Sequence, residues 1–342
     1  MEQLEIFRNK KILITGTSGF KGSYLALWLN MHGAKVNGFS LEPPTDPNIF
    51  ESLKLKKYIT QYYGDVRDKI RFETIIEETQ PEYVFHLAAQ PIVKTSYENP
   101  TMTFETNILG TLNLMEICKN HNSIKSIVVV TSDKVYKDKY PYIYSEDSEL
   151  GANSDPYSTS KVCSEFVVES YKKVFKEKGI ALATVRAGNV IGGGDWGTNR
   201  IITCIIDSLI KNYELGIYSP KAIRPWQSIF DCIYGYMLVS ANLKTESWNF
   251  GPKSINSITV EELVNKLMKM WGSGNYSIID KNFEETNYLK LDCEKANREL
   301  NWYPKYDINE ILNKTVSWYK NFYNNQNMYK FTLEQIKEYE KK

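Results

Sequence analysis

Short apolar runs alternate along this chain with longer stretches of helical period. Lys11-Ile12-Leu13-Ile14-Thr15 reads as a strand, and Ser23 to Met31, with Leu25, Trp28 and Leu29 apolar, reads as a helix. Lys35 to Phe39 predicts the second strand, and a Tyr-rich run before Gly64 the third. Glu82 to Ala89 gives a strand, Thr106 to about Asn120 a helix, and Ile127 to Val130 another strand. A helix follows to about Lys176, then a strand over Ala181 to Arg186. This rhythm predicts an α/β fold, a doubly wound parallel Rossmann sheet whose ligand crevice lies at the strands' carboxyl ends.

After Gly188 the pattern becomes irregular. Gly188-Asn189-Val190-Ile191-Gly192-Gly193-Gly194-Asp195-Trp196 is too glycine-dense for a regular element and falls at the crevice rim. The expected division is a dinucleotide-binding domain over 1–187 and a smaller C-terminal substrate lobe over 188–342. A strand-helix excursion near 231–243 is expected to return to the first domain. The tail from Asn324 is Lys/Glu-rich and reads as one exposed helix.

Composition narrows the chemistry. At 342 residues the chain suits two lobes sharing a cleft. Lys+Arg 42 against Asp+Glu 41 argues against a nucleic-acid partner. No run approaches the ~20 apolar residues of a membrane helix, so a soluble protein is expected. Five scattered cysteines without a Cys-x-x-Cys read as reduced thiols, which points to the cytoplasm. The histidines at 32, 86 and 121 share no metal-ligand spacing, and His86 reads as a packed strand residue. No metal is expected.

The candidate chemistry sits where strands end. Gly16-Thr17-Ser18-Gly19-Phe20-Lys21-Gly22 links the first strand to the first helix. Gly16, Gly19 and Gly22 would let the backbone approach a pyrophosphate that the free amides of the following helix face, and Phe20 within the turn is a further expected cofactor contact. The second strand ends Ser40-Leu41-Glu42, with no arginine to favour a 2′-phosphate, which points to NAD over NADP. Asp65, followed by Val66, would meet the adenine amino group or would simply cap a turn. Ala88 and Ala89 are small enough for a flat ligand to approach the backbone, and Gln90 follows them. Arg200 and Arg224 with Trp226 suit a nucleotide diphosphate and its base, although each arginine alone also reads as a surface charge. Gln90, Asn189, Arg200 and Arg224 are the expected substrate contacts.

Tyr157 and Lys161 stand four apart behind Pro156, so a helix puts phenol and ammonium on one face. A free tyrosine, with a pKa of about 10, needs a shift of roughly three units to act as a base near neutrality, or ~4 kcal/mol. Lys161 and a nicotinamide cation are the expected sources. Ser132, at a strand's carboxyl end, is placed to hydrogen-bond the reacting hydroxyl.

The glycine spacing, Ser132 and the Tyr157/Lys161 pair together resemble the extended short-chain dehydrogenase/reductases. Thr15 to Ser23, Ser40 to Thr45, His86 to Pro91, Thr131-Ser132-Asp133-Lys134, Asp155 to Ser158, Arg186 to Trp196, Arg224 to Gln227 and Thr332 to Ile336 resemble CDP-glucose 4,6-dehydratases more closely. The resemblance covers nearly the whole chain. It implies a tightly held NAD that is reduced and reoxidised in each turnover, with Tyr157 as base at sugar carbon 4, Ser132 orienting that oxygen, and Lys161 holding the phenolate and a nicotinamide ribose hydroxyl. It further implies that Asp133 protonates the departing hydroxyl and that Lys134, if locally deprotonated, takes the carbon 5 proton. The product would be CDP-4-keto-6-deoxyglucose, and a homo-oligomer, dimer or tetramer, is implied by analogy.

The chain departs from that family at Val135 (usually cysteine), Lys137-Asp138 (usually Glu-Asn), and Ser228 and Glu284 (usually histidines). These departures bear on which sugar is taken. The alternatives are a dehydratase of another nucleotide hexose or heptose, and a non-catalytic NAD-binding regulator. A 4-epimerase would need no Asp133-Lys134 pair.

Overall fold

The computed structural model describes residues 2–139, 143–151, 155–198, 200–279 and 289–342. Seven strands form its main sheet: β1 (Lys11–Thr15), β2 (Lys35–Ser40), β3 (Thr60–Tyr63), β4 (Tyr83–His86), β5 (Ser126–Val130), β6 (Ala181–Ala187) and β7 (Ser247–Phe250). They lie in the order β7-β6-β5-β4-β1-β2-β3, every pair parallel. The order reverses between β1 and β4, which opens a crevice beyond their carboxyl ends.

Alternation along the strands builds a core on each side of the sheet. Ile12, Ile14, Phe85, Val128 and Val130 face one core, whereas Leu13, Val84, Ile127 and Val129 face the other. Four helices matter for the site: α1 (Phe20–Met31), α2 (Pro156–Glu177), α3 (Ile229–Ala241) and α4 (Met328–Lys341). Buried residues of α1, α3 and α4 share the first core, and Val168 and Phe175 of α2 belong to the second.

The segment that rejoins the sheet differs from the expected excursion over 231–243. It is a helix followed by a strand, running from Ile229 through α3 to the end of β7 at Phe250. Trp248 and Phe250, in an otherwise polar stretch, are the apolar residues that let it join the sheet edge.

The tail corrects the expected exposed helix. Met328, Thr332, Gln335, Ile336 and Tyr339 of α4 are buried. Tyr339 Oη donates to Asp231 Oδ1 at 2.8 Å, and Trp28 Nε1 of α1 donates to Glu340 at 2.7 Å. Lys330, Glu334, Lys337, Glu338 and Lys341 are exposed along its outer face, and of its charged residues Glu340 turns inward.

Asp231 carries a consequence for stability. It is almost wholly buried in the first turn of α3, and burial pushes its carboxyl up to about 6, against hydrogen bonds from Lys305 N and Tyr339. The unfolded value is about 3.9. Folded protein therefore holds the proton more tightly, so ionisation costs stability as pH rises from about 4 to 6, and the cost persists above that window. Asp231→Asn keeps an acceptor for both donors without the charge. It is expected to gain about 2 kcal/mol relative to wild type between pH 4 and pH 8. Urea unfolding at both pH values checks this, and a pH-independent difference would contradict it.

Candidate active site

β5 ends at Val130, and the chain turns where the chemistry begins. Ser132 is extended (φ −159°, ψ 160°) and Asp133–Val135 form one 3-10 turn. Ser132 Oγ accepts from Lys134 N at 3.2 Å, which caps that turn. A continued strand would have sent Asp133 to the opposite face from its neighbours.

Asp133 and Tyr157 meet at Ser132. The serine hydroxyl donates to Asp133 Oδ1 at 3.0 Å and also hydrogen-bonds the Tyr157 phenol. A protonated phenol can donate to Ser132 Oγ while the serine proton serves Asp133. Burial pushes the Asp133 carboxyl up, with Lys134, Ser132 and Lys21 pulling the other way. A protonated Asp133 can donate to Ser132 Oγ and leave the serine proton for Tyr157 or for a substrate oxygen. Gly188 closes over the carboxyl, since a Cβ there would stand 2.5 Å from Asp133 Oδ2.

The Tyr157/Lys161 pair differs from expectation in its electrostatics. Asp155 caps α2 by accepting from Ser158 N, and Pro156 occupies the first turn, so both residues sit on the first turns of a well-started helix. Burial pushes the Tyr157 phenol up to about 12; Ser132 pulls it down, Asp133 pushes it up, and Arg200 pulls it down. Lys161 Nζ instead donates to Val130 O at 3.1 Å, and burial with Lys21 pushes it down to about 8. A phenol at about 12 becomes a base near neutrality only with further positive charge against it.

A buried ion pair holds this floor in place. Glu165 of α2 accepts from Arg186 Nε (2.8 Å) and Nη2 (2.9 Å), from Thr184 and from Thr131, the residue before Ser132. Arg186 Nη1 donates to Tyr136 Oη at 2.8 Å, and Tyr136 donates to Asn249. Two strands, one helix and the loop after β5 are thereby tied together.

The glycine turn has the form a pyrophosphate site needs. Gly16 has φ +74°, and a Cβ there would lie 2.8 Å from Ala88 N. A Cβ at Gly22 would lie 2.2 Å from Gly16 O. Gly19 N donates to Gly16 O, and α1 starts at Phe20. Around it, Ser40 Oγ accepts from Ser18 N (3.3 Å) and Gln61 Nε2 (3.1 Å). Asp65 is gripped by Arg67 Nη2 at 2.7 Å, and that pairing holds its carboxyl low against burial. Val66 is buried, with its carbonyl accepting from Asn113. Ala88 N donates to Thr15 Oγ1, and Ala89 is half-buried beside it. His86 Nδ1 lies 2.8 Å from Thr15 Oγ1, and burial and Lys161 push its ring down to about 3, so it is neutral.

Of the expected substrate contacts, Gln90 is turned inward. Its Nε2 donates to Thr103 Oγ1 and its Oε1 accepts from Ile92 N, so the amide is spent on the fold. Asn107, in the π-helical turn Glu105–Leu109, bonds Gln90 N and O and Ser160 Oγ. Sequence reasoning placed Asn107 in a plain helix and gave Gln90 to the substrate, because nothing local signals the π-turn. Asn189 is exposed on the short strand Asn189–Ile191, paired in register with Trp226. Arg200 Nη1 is ion-paired to Asp195 at 2.5 Å and acts on Tyr157. Arg224 is half-buried at the start of the strand Ile223–Ser228.

The departures are structural where they are described. Val135 packs with Tyr136, Tyr144, Val162 and Leu291, Ser228 caps α3, and Lys137 pairs with Glu149 at 2.7 Å on the surface. Glu284 lies outside the described residues.

Residues 13–315 match the family model described as GDP-mannose 4,6 dehydratase. The chain is 40% identical to the CDP-glucose 4,6-dehydratase of Salmonella typhimurium, across 97% of each chain. The chain belongs to the CDP-glucose 4,6-dehydratase family. A CDP-paratose 2-epimerase of Salmonella typhi is 29% identical over 90% of this chain and 98% of its own. Among solved structures, the dTDP-glucose 4,6-dehydratase DesIV of Streptomyces venezuelae, with NAD and TYD bound, superposes with a TM-score of 0.80 at 23% identity. That match covers 92% of this chain and 98% of the other. A Thermotoga maritima UDP-glucose 4-epimerase with UDP-glucose has a TM-score of 0.79 at 25% identity, covering 91% and 99%. Within the 4,6-dehydratase family, the Asp133-Lys134 turn beside Tyr157 is the feature to interpret.

Proposed function

We propose that this chain converts CDP-glucose to CDP-4-keto-6-deoxyglucose with NAD as its cofactor. The observation that carries the reading is one serine hydroxyl shared between Tyr157, suited to oxidation, and Asp133, suited to elimination. The tight Gly16–Gly22 turn at the start of α1 fits the pyrophosphate of NAD, with Ser40, Asp65, Val66, Ala88 and Ala89 lining the rest of its path. NAD, when bound there, would supply the hydride acceptor for carbon 4, the hydride donor for carbon 6 and the positive charge that Tyr157 needs.

Tyr157 takes the proton of the carbon 4 hydroxyl, while Ser132 holds that oxygen. Asp133, whose carboxyl burial pushes towards the protonated form, gives its proton to the hydroxyl leaving carbon 6. Lys134, on the same turn, takes the proton from carbon 5 when its side chain is the free amine. Arg200 and Arg224 hold the diphosphate, and Asn189 lies at the rim beside them. Asp133 and Lys134 distinguish this site from one that only oxidises and reduces carbon 4.

Incubation with CDP-, dTDP-, UDP- and GDP-hexoses and with a nucleotide heptose tests the assignment. CDP-glucose is expected to give a 4-keto-6-deoxy product fastest; a faster reaction with another sugar would reassign the substrate, and no product from any would leave a cofactor-binding protein. Among the described residues no helix is long and apolar enough to cross a membrane, which agrees with a cytoplasmic enzyme. Leu109 and Phe166 are exposed on neighbouring helices, which supports a homodimer through that face. A monomer in sedimentation at micromolar concentration would rule that out.

A further inference from the structure

The site holds a second ammonium for which the chemistry above has no task. Lys21 follows Phe20 at the start of α1, and its Nζ donates to Tyr236 Oη at 3.3 Å. Tyr236 is fully buried on α3, and burial holds its phenol far above the ordinary range. The phenol that holds Lys21 is therefore neutral and does not offset its charge. Lys161 is anchored in the same manner, by the carbonyl of Val130. The two cations act on each other: burial and then Lys21 push Lys161 down. The carboxyl that feels Lys21, Asp133, is itself pushed towards its neutral form by burial. The floor of the crevice therefore brings two ammonium groups, Lys21 and Lys161, into one another's field.

The next step rests on the reading of the preceding subsection. Tyr157 must reach the oxygen of the carbon that gives up hydride, and the hydride acceptor must touch that same carbon, with reacting atoms ~3–3.5 Å apart. The nicotinamide ring must then sit within the field of this cluster. That ring is a cation when oxidised and neutral when reduced. We propose that Lys21, anchored by Tyr236, is a positioning residue that biases the bound cofactor towards its reduced form by repelling the oxidised ring. The step it assists moves one hydride from carbon 4 to the ring, two electrons and a proton together, while the hydroxyl proton goes to Tyr157. No other reductant or oxidant is needed. One charge acting across several ångströms at an effective dielectric of 20 or more is worth about tenfold in the ratio of the two affinities. For a two-electron couple that is ~30 mV.

The test separates ring charge from phosphate binding. Cofactor-free protein is titrated calorimetrically with NAD and, separately, with NADH, for wild type, Lys21→Met, Lys21→Gln and Lys21→Arg. A contact with the pyrophosphate affects both forms alike, so the ratio Kd(NAD)/Kd(NADH) isolates the ring. The expected result is a ratio lowered about tenfold in the Met and Gln variants and kept within twofold by Arg. Tyr236→Phe, which frees the ammonium from its anchor, is expected to lower the ratio by a smaller factor and serves if the Lys21 variants fail to fold. Affinities for both forms weakened equally, with the ratio unchanged, would make Lys21 a phosphate ligand and overturn the proposal. In that case dehydration of CDP-glucose would still stand, whereas a wild-type protein that bound neither form would refute the cofactor assignment and this inference with it.

Discussion

Tyr157→Phe is expected to lose the first oxidation while keeping the cofactor. The variant retains the ring that packs on α2 and removes only the oxygen that Ser132 hydrogen-bonds. In the proposed site the pyrophosphate lies elsewhere, against the tight Gly16–Gly22 turn, so binding should change little. Loss of a general base typically costs ~10²–10⁴ in rate. The upper part of that range is expected, because the neighbouring groups are poor substitutes. Ser132 is an ordinary hydroxyl, Asp133 is pushed towards its protonated form, and Lys161 is engaged with Val130 O. Single-turnover absorbance of the reduced cofactor, alongside the amount of NAD retained, reads both halves. Activity within twofold of wild type would mean another group takes the proton, and loss of bound NAD would make Tyr157 chiefly a cofactor anchor.

Asp133→Asn and Lys134→Met are expected to separate oxidation from elimination. Both positions lie on the 3-10 turn after Ser132, outside the Gly16–Gly22 backbone. Asparagine preserves an acceptor for Ser132 Oγ but has no carboxyl proton to give the leaving hydroxyl. Methionine preserves most of the lysine's length without a base. With CDP-glucose, both variants should therefore reduce the bound cofactor and then stall, with product formation down by ~10²–10⁴. Reduced-cofactor absorbance should rise and persist where wild type shows only a transient. Near-normal product formation by Lys134→Met would remove Lys134 from the mechanism and leave it a charged residue of the turn.

Much of this was legible in the sequence, for local reasons. Lys11–Thr15 is a strand because an apolar run is closed by a glycine turn, whereas α1 begins at Phe20, inside that turn and three residues before the expected Ser23. The Tyr157/Lys161 helix is announced by Asp155 and Pro156 at its start. The break after Ser132 was inferable from chemistry, since three consecutive side chains can serve one ligand only off a regular strand. What was not legible depends on partners far along the chain. Gln90 is spent on Thr103 and Ile92, Glu165 meets Arg186 across α2 and β6, and Lys21 meets Tyr236 across two helices. The tail was misread because its charge was weighed and its period was not: Met328, Thr332, Ile336 and Tyr339 repeat at helical spacing under a Lys/Glu surface. The expected lysine-to-phenol stabilisation at Tyr157 also depends on where Nζ points, which spacing alone does not fix.

The central claim, that hydride leaves carbon 4 and returns to carbon 6 of the same sugar, is tested most directly with CDP-glucose deuterated at carbon 4. Mass spectrometry and NMR of the product should place the deuterium at carbon 6, with no free NADH accumulating. Deuterium lost to solvent, or NADH released in step with product, would contradict the account.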